Sequence, residues 1–334
     1  MSSALSALPI TFQDMSEAAD RIRGLVVETP LLEVHALSEA IGGRFFVKCE
    51  NLQLTGSFKL RGAMNSLASL SDEDRAKGVV AYSSGNHAQG VAAAARHFGV
   101  AATIIMPEDA PEIKKANTAA LGAKVITYDR YSESREELGA KVQAETGANL
   151  VPPYDYRPTI VGQGTSAIEV TNQLRTQGLS LDTVLICCGG GGLSAGSAIV
   201  FKTCFPDALV VAAEPETHDD TRRSLLSGEH VHNPADARSI CDAIVTPTPG
   251  ELTLPLLMAC GCEGWTANDE DVLETVAFAA TRLKLTVEPG GAIALAAARK
   301  HLDKLKGQTV VAYLSGGNID PAMMNKALTY ADRI

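Results

Sequence analysis

The 334-residue chain lacks the features that mark several broad classes of protein. Its net charge of −10 argues against an anionic partner such as nucleic acid or an anionic membrane surface. No uninterrupted apolar run reaches the length of a membrane span, and the N-terminus lacks the basic-then-apolar pattern of a secretory signal. Internal repeats and low-complexity segments are also absent. We therefore expect a globular protein with neither a nucleic-acid nor a membrane partner.

Cysteine is sparse, with seven residues, an odd number that does not suit a disulfide framework. Cys187 and Cys188 lie in an apolar, strand-like run where a disulfide is implausible. These thiols are expected to be reduced, in a cytoplasmic compartment. Cys260 and Cys262 have the spacing of a metal or redox pair, but no second pair of that spacing accompanies them, so we interpret them as incidental.

Helical and strand-like segments alternate along the chain, a pattern typical of an α/β fold with a mostly parallel sheet. The length, with 46% apolar residues, allows one large or two modest domains with an ample core. Strands are predicted at residues 78–82, 101–106, 124–128, 182–188, 209–213 and 310–314, and helices at 86–98, 113–121, 193–203 and 269–283.

Lys59 follows Phe58 in a short segment that is bounded by glycines. A lysine held in a desolvated position can form a Schiff base with an aldehyde cofactor. Burial would lower its pKa and so supply the neutral amine that this chemistry needs. A lone lysine is otherwise more often a solvated surface residue, so this interpretation depends on the motif around it.

Four consecutive glycines end an apolar strand and open a predicted helix: Gly189, Gly190, Gly191 and Gly192. The backbone N–H groups of such a loop form a cradle for phosphate. The segment also fits the G-x-G-x-x-A dinucleotide fingerprint, with Glu214 at the end of the next predicted strand as its acidic residue. From this segment alone, a phosphate-binding loop and an NAD-binding domain are both possible interpretations.

Four motifs in this order resemble the threonine dehydratase and serine racemase group, a branch of the fold-type II enzymes that use pyridoxal phosphate (PLP). The motifs are Glu50–Lys59, Ser83–Gly90, the four glycines and Leu314–Asn318. The resemblance implies a tryptophan synthase β-like fold, with two α/β domains of parallel sheet and the cofactor in the cleft between them. It implies a discontinuous large domain of residues 1–55 plus 151–334 and a small domain of residues 56–150.

The resemblance also assigns cofactor-binding roles. Lys59 would form the Schiff base and later carry the α-proton of the substrate. The glycine loop and Leu193 would bind the cofactor, with the loop on its phosphate. Ser315 would hydrogen-bond the ring nitrogen, and a hydroxyl there favours β-elimination over transamination because it does not hold that nitrogen protonated.

Residues 83–87 lie between a strand end and a helix start. Ser83, Ser84 and Asn86 are good N-cap types, so a plain helix cap is one interpretation. Helix N-termini also bind carboxylates. By resemblance, Ser83, Ser84, Asn86 and His87 would hold the substrate, and Asn86 would contact the 3′ oxygen of PLP. Ser84 would face the substrate opposite Lys59 and could exchange a proton there.

Glu214, His218 and Asp220 follow a predicted strand and offer hard oxygen ligands of the kind that Mg²⁺, Mn²⁺ and Ca²⁺ prefer. The resemblance implies a structural site for such a divalent cation, built from the Glu214 carboxylate, the His218 backbone carbonyl and the Asp220 carboxylate. An acidic solvated loop is the alternative.

Arg135 lies where serine racemases have an arginine that can reach a second carboxylate in the site, which predicts that 3-hydroxyaspartate is accepted. A surface helix residue is the alternative. Ala243 stands where the family often has glycine, and residues 246–250 depart from the serine racemase pattern. These departures leave the substrate open.

From the resemblance we expect a PLP-dependent ammonia-lyase (dehydratase) that removes water from L-threonine or L-serine and yields a 2-oxo acid and ammonia. Dehydration of 3-hydroxyaspartate and serine racemisation are the alternatives. A nucleotide-dependent dehydrogenase and a non-catalytic PLP-binding scaffold are rivals of other classes. We expect a homodimer or homotetramer, without the C-terminal regulatory domain of biosynthetic threonine dehydratases.

Overall fold

The computed structural model describes residues 5, 7–110, 112–129 and 132–333. Their strands are β1 (Leu31–Glu33), β2 (Arg44–Cys49), β3 (Val79–Tyr82), β4 (Ala102–Pro107), β5 (Lys124–Tyr128), β6 (Asn149–Leu150), β7 (Thr183–Cys187), β8 (Leu209–Pro215), β9 (Glu263–Ala267) and β10 (Thr309–Leu314). Their α-helices are α1 (Phe12–Arg21), α2 (His35–Ile41), α3 (Lys59–Ala68), α4 (Asp72–Ala76), α5 (Asn86–Phe98), α6 (Glu112–Ala120), α7 (Arg135–Thr146), α8 (Arg157–Thr176), α9 (Gly192–Cys204), α10 (Asp220–Ser227), α11 (Thr253–Ala259), α12 (Asp269–Phe278), α13 (Pro289–Lys300) and α14 (Pro321–Leu328).

The strands form two sheets. The larger has the order β1-β2-β10-β7-β8-β9, and only β1 runs antiparallel to its neighbour. Every residue of β7 is buried, as expected for a parallel sheet that is covered on both faces. The smaller sheet has the order β5-β4-β3-β6 and is parallel throughout.

The N-terminal strands β1 and β2 join the larger sheet, where β2 pairs with β10 near the C-terminus. The strands of the smaller sheet all lie between residues 79 and 150. The strands are thus grouped as the expected boundaries at residues 55/56 and 150/151 would group them. The division into two domains itself stays a prediction.

Local sequence signals account for several elements. The alanine-rich helix α5 begins at Asn86 and ends at Phe98, as predicted, because Gly99 adopts a left-handed conformation with φ of +67° that closes the helix. The helix predicted at 269–283 is α-helical only to Phe278. Its last five residues, Ala279–Leu283, form a π-helical turn.

Helix α8, with 20 residues, was not among the predicted elements. It packs against α1, α3 and α9, so its buried residues surround the helix and no one-sided apolar period marks it. A Cβ atom on Gly164 of α8 would lie 3.0 Å from the backbone of Gly196 in α9, so the two helices cross at glycines. No α-helix in the described part of the chain is long and apolar enough to cross a bilayer.

The sheet topology gathers three of the sequence motifs. Strands β10 and β7 are parallel neighbours, so Ser315 and the glycine loop follow strand ends at one edge of the larger sheet. In the smaller sheet, β3 ends at Tyr82, directly before Ser83. Ligand sites of parallel α/β sheets lie at such carboxyl ends.

Candidate active site

A cavity of about 700 Å³ is lined by residues from the carboxyl ends of both sheets. It brings together residues that are far apart in the sequence and that the motifs singled out. The predicted site residues that line it are Lys59, Ser83, Ser84, Asn86, His87, Arg135, Gly189, Gly190, Gly191, Gly192 and Leu193.

Lys59 is the first residue of α3 and faces this cavity. Its Nζ donates a hydrogen bond of 2.8 Å to the backbone carbonyl of Pro153. Burial of the amine lowers the pKa of Lys59 to about 8. More of the amine is therefore neutral near neutral pH than in an ordinary lysine, and the neutral amine is the form that attacks a carbonyl.

A buried ionic network fixes the start of α3. Arg61 Nε lies 2.7 Å from Glu50 Oε2, and Arg61 Nη1 lies 2.6 Å from Glu169 Oε1. Lys48 Nζ lies 2.6 Å from Glu169 Oε2. Burial acts to raise the pKa of Glu50, but the Arg61 guanidinium outweighs it and the net pKa is lowered. The network ties the first turn of α3, and so Lys59, to α8 and to the end of β2.

The glycine loop leaves no room for side chains. A Cβ atom on Gly190 would collide with the Tyr154 ring, and one on Gly192 would collide with Gln163 Oε1. Gly191 has a φ of +88° and is the N-cap of α9. The loop therefore presents bare backbone at a helix N-terminus, an arrangement that binds anions.

One side chain, that of Gln163, connects the amine to this loop. Gln163 Nε2 donates a hydrogen bond of 3.2 Å to the Pro153 carbonyl, which also accepts from Lys59. Gln163 Oε1 is buried beside Gly192 and has no hydrogen-bond partner in the described structure. A partly neutral amine and an anion cradle in one cavity fit a cofactor that carries both an aldehyde and a phosphate, as PLP does.

Ser315 directly follows β10 and is buried, 4% exposed, and it is not among the described residues that line the cavity. Cys187, on the neighbouring strand β7, does line the cavity. Burial raises the pKa of Cys187 to about 11, so this thiol is neutral. The contact of Ser315 with a ring nitrogen stays a prediction.

The N-terminus of α5 has no side-chain cap. Gly85 is the N-cap residue, and the nearest serine hydroxyl, Ser83 Oγ, accepts only from Gly85 N at 3.2 Å. The helix-cap interpretation of Ser83, Ser84 and Asn86 is therefore wrong. The first turn of α5 therefore has amides without a side-chain cap, and helix N-termini of this kind can bind anions.

His87 is buried beside Lys59. Burial, and to a smaller extent the charge of Lys59, lowers the pKa of His87 to about 3, so the imidazole is neutral. Its Nε2 lies 2.7 Å from the Val151 carbonyl, to which it donates. Its Nδ1 is buried and has no hydrogen-bond partner among the described residues.

Asn86 belongs to a hydrogen-bonded chain that includes a carboxyl group missed at the sequence level. Its Oδ1 accepts from Asn318 Nδ2 over 2.7 Å, and its Nδ2 donates to Glu288 Oε1 over 2.5 Å. Glu288 also lines the cavity. Burial raises the pKa of Glu288 to about 7. Sequence analysis also missed several other lining residues, among them Tyr154, whose position directly after Pro152-Pro153 was its only signal.

Arg135 begins α7 and is exposed at the cavity. Its guanidinium carbon lies 5.2 Å from the centroid of the Tyr82 ring, a cation–π contact. Burial raises the pKa of Tyr154, and the charge of Arg135 opposes this rise. Arg135 is therefore an exposed cationic group at the cavity, in contact with Tyr82, and its role in binding a second carboxylate stays a prediction.

Glu214, at the end of β8, lies outside the cavity. It is buried, and its carboxylate accepts from Thr221 N at 2.9 Å and from Arg222 N at 2.7 Å. These contacts hold the N-terminus of α10. A carboxylate used in this way does not reach a ribose beside the glycine loop, which contradicts the dinucleotide alternative.

Asp220 is buried next to Glu214. Its Oδ2 has no hydrogen-bond partner in the described structure. Burial, and to a smaller extent the charge of Asp220, raises the pKa of Glu214 well above its ordinary value. The described residues contain no cluster of three or more His, Cys, Asp or Glu side chains suited to a metal. The predicted site differs from such a cluster because its third ligand is the His218 carbonyl.

Comparison with known proteins decides the family. The family model for "Pyridoxal-phosphate dependent enzyme" matches residues 22–316. The chain belongs to this family. PLP is therefore the cofactor for which the cavity, the amine and the glycine loop are suited, and the expected fold-type II architecture is confirmed.

The chain is similar to three kinds of enzyme over nearly its whole length. It is 41% identical over 312 residues to an L-threo-3-hydroxyaspartate ammonia-lyase of Saccharomyces cerevisiae, covering 93% of this chain and 94% of the relative. It is 38% identical over 319 residues to an L-threonine ammonia-lyase of Thermotoga maritima, with 96% and 78% covered. The solved structure of maize serine racemase superposes with a TM-score of 0.89 at 34% identity, covering 97% and 98% of the two chains. The expected lyase class is confirmed.

Proposed function

We propose that the protein is a PLP-dependent ammonia-lyase of β-hydroxy amino acids and that 3-hydroxyaspartate is its substrate. The main support is the position of Arg135, a cationic residue that lines the same cavity as Lys59. The similarity to the yeast 3-hydroxyaspartate ammonia-lyase supports the choice. L-Threonine and L-serine, which lack a second carboxylate, are the competing substrates.

PLP, when bound, supplies an aldehyde for the substrate amine and an electron-withdrawing ring. Lys59 would hold its aldehyde carbon and the four glycines, with Leu193, its phosphate. Ser315 would donate to the ring nitrogen, and Asn86 would contact the 3′ oxygen. The support is the lining of the cavity, which includes Lys59, Asn86 and Leu193, and the bare loop at the N-terminus of α9.

Lys59 would remove the α-proton of the substrate. A displaced amine with a pKa of about 8 is neutral often enough to accept a proton near neutral pH. The Pro153 carbonyl, 2.8 Å away, would orient it. Ser84, which lines the same cavity, would be the proton carrier on the opposite face if racemisation accompanies elimination.

The α-carboxylate would bind at the uncapped N-terminus of α5, among Ser83, Ser84, Asn86 and His87. The side-chain carboxylate of 3-hydroxyaspartate would pair with Arg135. A charge-assisted hydrogen bond contributes about 1.5–3 kcal/mol, which is enough to decide between a dicarboxylic substrate and threonine.

The test is a substrate panel. The purified holoenzyme is incubated with the isomers of 3-hydroxyaspartate, L-threonine, L-serine and D-serine, and ammonia and 2-oxo acid are measured. We expect the highest kcat/KM for a 3-hydroxyaspartate isomer. A higher kcat/KM for L-threonine or L-serine would replace the proposed substrate, and turnover of none would contradict the lyase proposal.

We further propose a structural divalent cation, Mg²⁺, Mn²⁺ or Ca²⁺, at Glu214, Asp220 and the His218 carbonyl. Two buried carboxyl groups side by side are costly without a compensating positive charge. The unpartnered Asp220 Oδ2 is a free oxygen ligand at that place. A hard cation would satisfy both groups.

We also propose that the protein is a homo-oligomer, dimer or tetramer, in the cytoplasm. Leu52 and Leu54, within the lysine motif, are 46% and 67% exposed, and a partner copy would cover them. All seven cysteines are free thiols, which suits a reducing compartment. Light scattering on the purified holoenzyme tests the assembly, and a monomer would contradict it.

A further inference from the structure

Glu288 lies at the N-cap of α13 and is 6% exposed. Its N–H donates to the Gly316 carbonyl over 3.0 Å. A Cβ atom on Gly316 would collide with Glu288 Oε1, so the carboxyl group can approach only because this residue is glycine. Gly316 directly follows Ser315. The buried carboxyl group therefore lies against both Gly316, the neighbour of Ser315, and the Asn86 side chain.

The hydrogen bonds around Asn86 fix the orientation of its amide. Asn318 Nδ2 donates to the Thr55 carbonyl at 2.9 Å and to Asn86 Oδ1 at 2.7 Å, which uses both of its protons. Asn86 Nδ2 donates one proton to Glu288 Oε1. Because Asn86 lines the cavity, its second N–H is available to a bound molecule.

We propose that Glu288 is a positioning residue, which holds the Asn86 amide so that its second N–H reaches the 3′ oxygen of PLP, and that the charge of Glu288 makes PLP binding dependent on pH. This proposal rests on the cofactor of the family and not on the proposed substrate. A failed substrate panel would leave it intact.

Among the titratable groups in this part of the cavity, Glu288 is the carboxylic acid whose charge changes near neutral pH. Burial raises its pKa to about 7; Asp242 also raises it, while the Asn86 hydrogen bond and Lys114 lower it. The other titratable groups that face this part of the cavity come from α3, α5 and β7: Lys59, His87 and Cys187, with pKa values of about 8, 3 and 11. Lys59 loses its free amine when it bonds to the cofactor.

The sign of the effect follows from the charges. Below pH 7 the Glu288 carboxyl group is neutral. It then accepts the hydrogen bond from Asn86 without repelling the negatively charged cofactor. Above pH 7 it is negative, close to a cofactor oxygen that also carries negative charge, and the two repel. We expect the Kd of PLP to rise about tenfold between pH 6 and pH 8, equivalent to a shift of one pKa unit.

The experiment measures the Kd of PLP by fluorescence titration, and the absorption of the bound cofactor, from pH 5.5 to pH 9. The variants are Glu288→Gln, which keeps an acceptor without a charge, and Glu288→Ala, which removes the acceptor. Asp242→Asn is the matched control, because it removes a neighbouring carboxylate that does not touch Asn86. Thermal melting of each apoprotein checks that it is folded.

We expect the step in Kd near pH 7 in the wild type, and a step of the same size at somewhat lower pH in Asp242→Asn, because Asp242 raises the pKa of Glu288. Glu288→Gln should bind PLP tightly at every pH, without the step. Glu288→Ala should bind several-fold more weakly at every pH because Asn86 is no longer held. Persistence of the step in Glu288→Gln would overturn the charge effect. If Glu288→Ala does not fold, spectra of Glu288→Gln and wild type that coincide at all pH values would overturn it equally.

Discussion

Lys59 Nζ and the carbonyl oxygen of Pro153 are joined by a 2.8 Å hydrogen bond between residues 94 positions apart. Pro153 lies in the segment that connects β6 of the smaller sheet to α8. The same carbonyl accepts from Gln163, which lies against the glycine loop. One backbone oxygen therefore fixes both the amine and the wall of the anion cradle, and it sets the distance over which a cofactor must fit.

Replacement of Arg135 by alanine should impair only the dicarboxylic substrate. Loss of a charge-assisted pair should lower kcat/KM for 3-hydroxyaspartate about 10- to 150-fold and leave L-threonine nearly unchanged. Arg135→Lys, which keeps the charge but not the planar fork, should fall between. Steady-state assays on both substrates check this. An equal loss on both would indicate that Arg135 acts on the structure of α7 instead.

Two substitutions at Ser315 should separate binding from chemistry. Ser315→Ala removes one hydrogen bond of about 0.5–1.5 kcal/mol, so the Kd of PLP should rise about two- to twelvefold. Ser315→Asp would keep the ring nitrogen protonated and should increase transamination relative to elimination. The ratio of pyridoxamine phosphate to 2-oxo acid measures this balance. An unchanged ratio and an unchanged Kd would show that Ser315 does not touch the ring nitrogen.

Chelation should destabilise the wild-type protein. If a cation is held by Glu214 and Asp220, its removal should lower the Tm by several degrees, and added Mg²⁺ or Ca²⁺ should restore it by mass action. Asp220→Ala should not respond to chelator. Asp219→Asn, which alters an adjacent acid paired with Arg222 and Arg223, should respond like the wild type. A wild-type Tm that does not change when chelator is added would contradict the proposed cation site.

Glu50→Gln should destabilise the fold, because it leaves the buried Arg61 with one carboxylate fewer. The cost should be about 3–5 kcal/mol in the free energy of unfolding, measured by urea titration at pH 7. Glu216→Gln breaks only the partly exposed pair with Lys300 and should cost no more than about 1 kcal/mol.

The effect of Glu50→Gln should depend on pH. Because the folded-state pKa of Glu50 is below the ordinary value of 4.5, its contribution is present above pH 4.5 and is lost as the pH falls through the folded-state value. The difference between wild type and variant should therefore shrink in acid. A difference that is constant down to pH 3 would show that the charge of Glu50 is not what stabilises the network.

Elements with local signals were predictable from the sequence. Helix α5 was predicted at its observed bounds because an alanine-rich run is closed by Gly99. Strand β5 was also predicted at its observed bounds. The clustering of Lys59 with the glycine loop was expected only through the family motifs, since their order in the sequence does not show that their segments meet.

The features that were missed depend on tertiary packing. Helix α8 has neighbours on most sides, so its burial leaves no amphipathic period to detect. Glu288 sits before a Pro-Gly-Gly sequence that resembles an ordinary helix start, and only the folded chain shows its carboxyl group against Gly316 and Asn86. Tyr154 acquires its place over Gly190 in the same way.

The central claim, that Lys59 is the covalent anchor of PLP in a catalytic site, is tested most directly by borohydride reduction of the holoenzyme and peptide mapping. Lys48 is the internal control, a fully buried lysine bound to Glu169 instead. We predict a pyridoxyl group on Lys59 and none on Lys48. We also predict that Lys59→Ala keeps its fold but has no covalent label and no dehydratase activity. A label on another lysine, or substantial turnover by Lys59→Ala, would contradict the account.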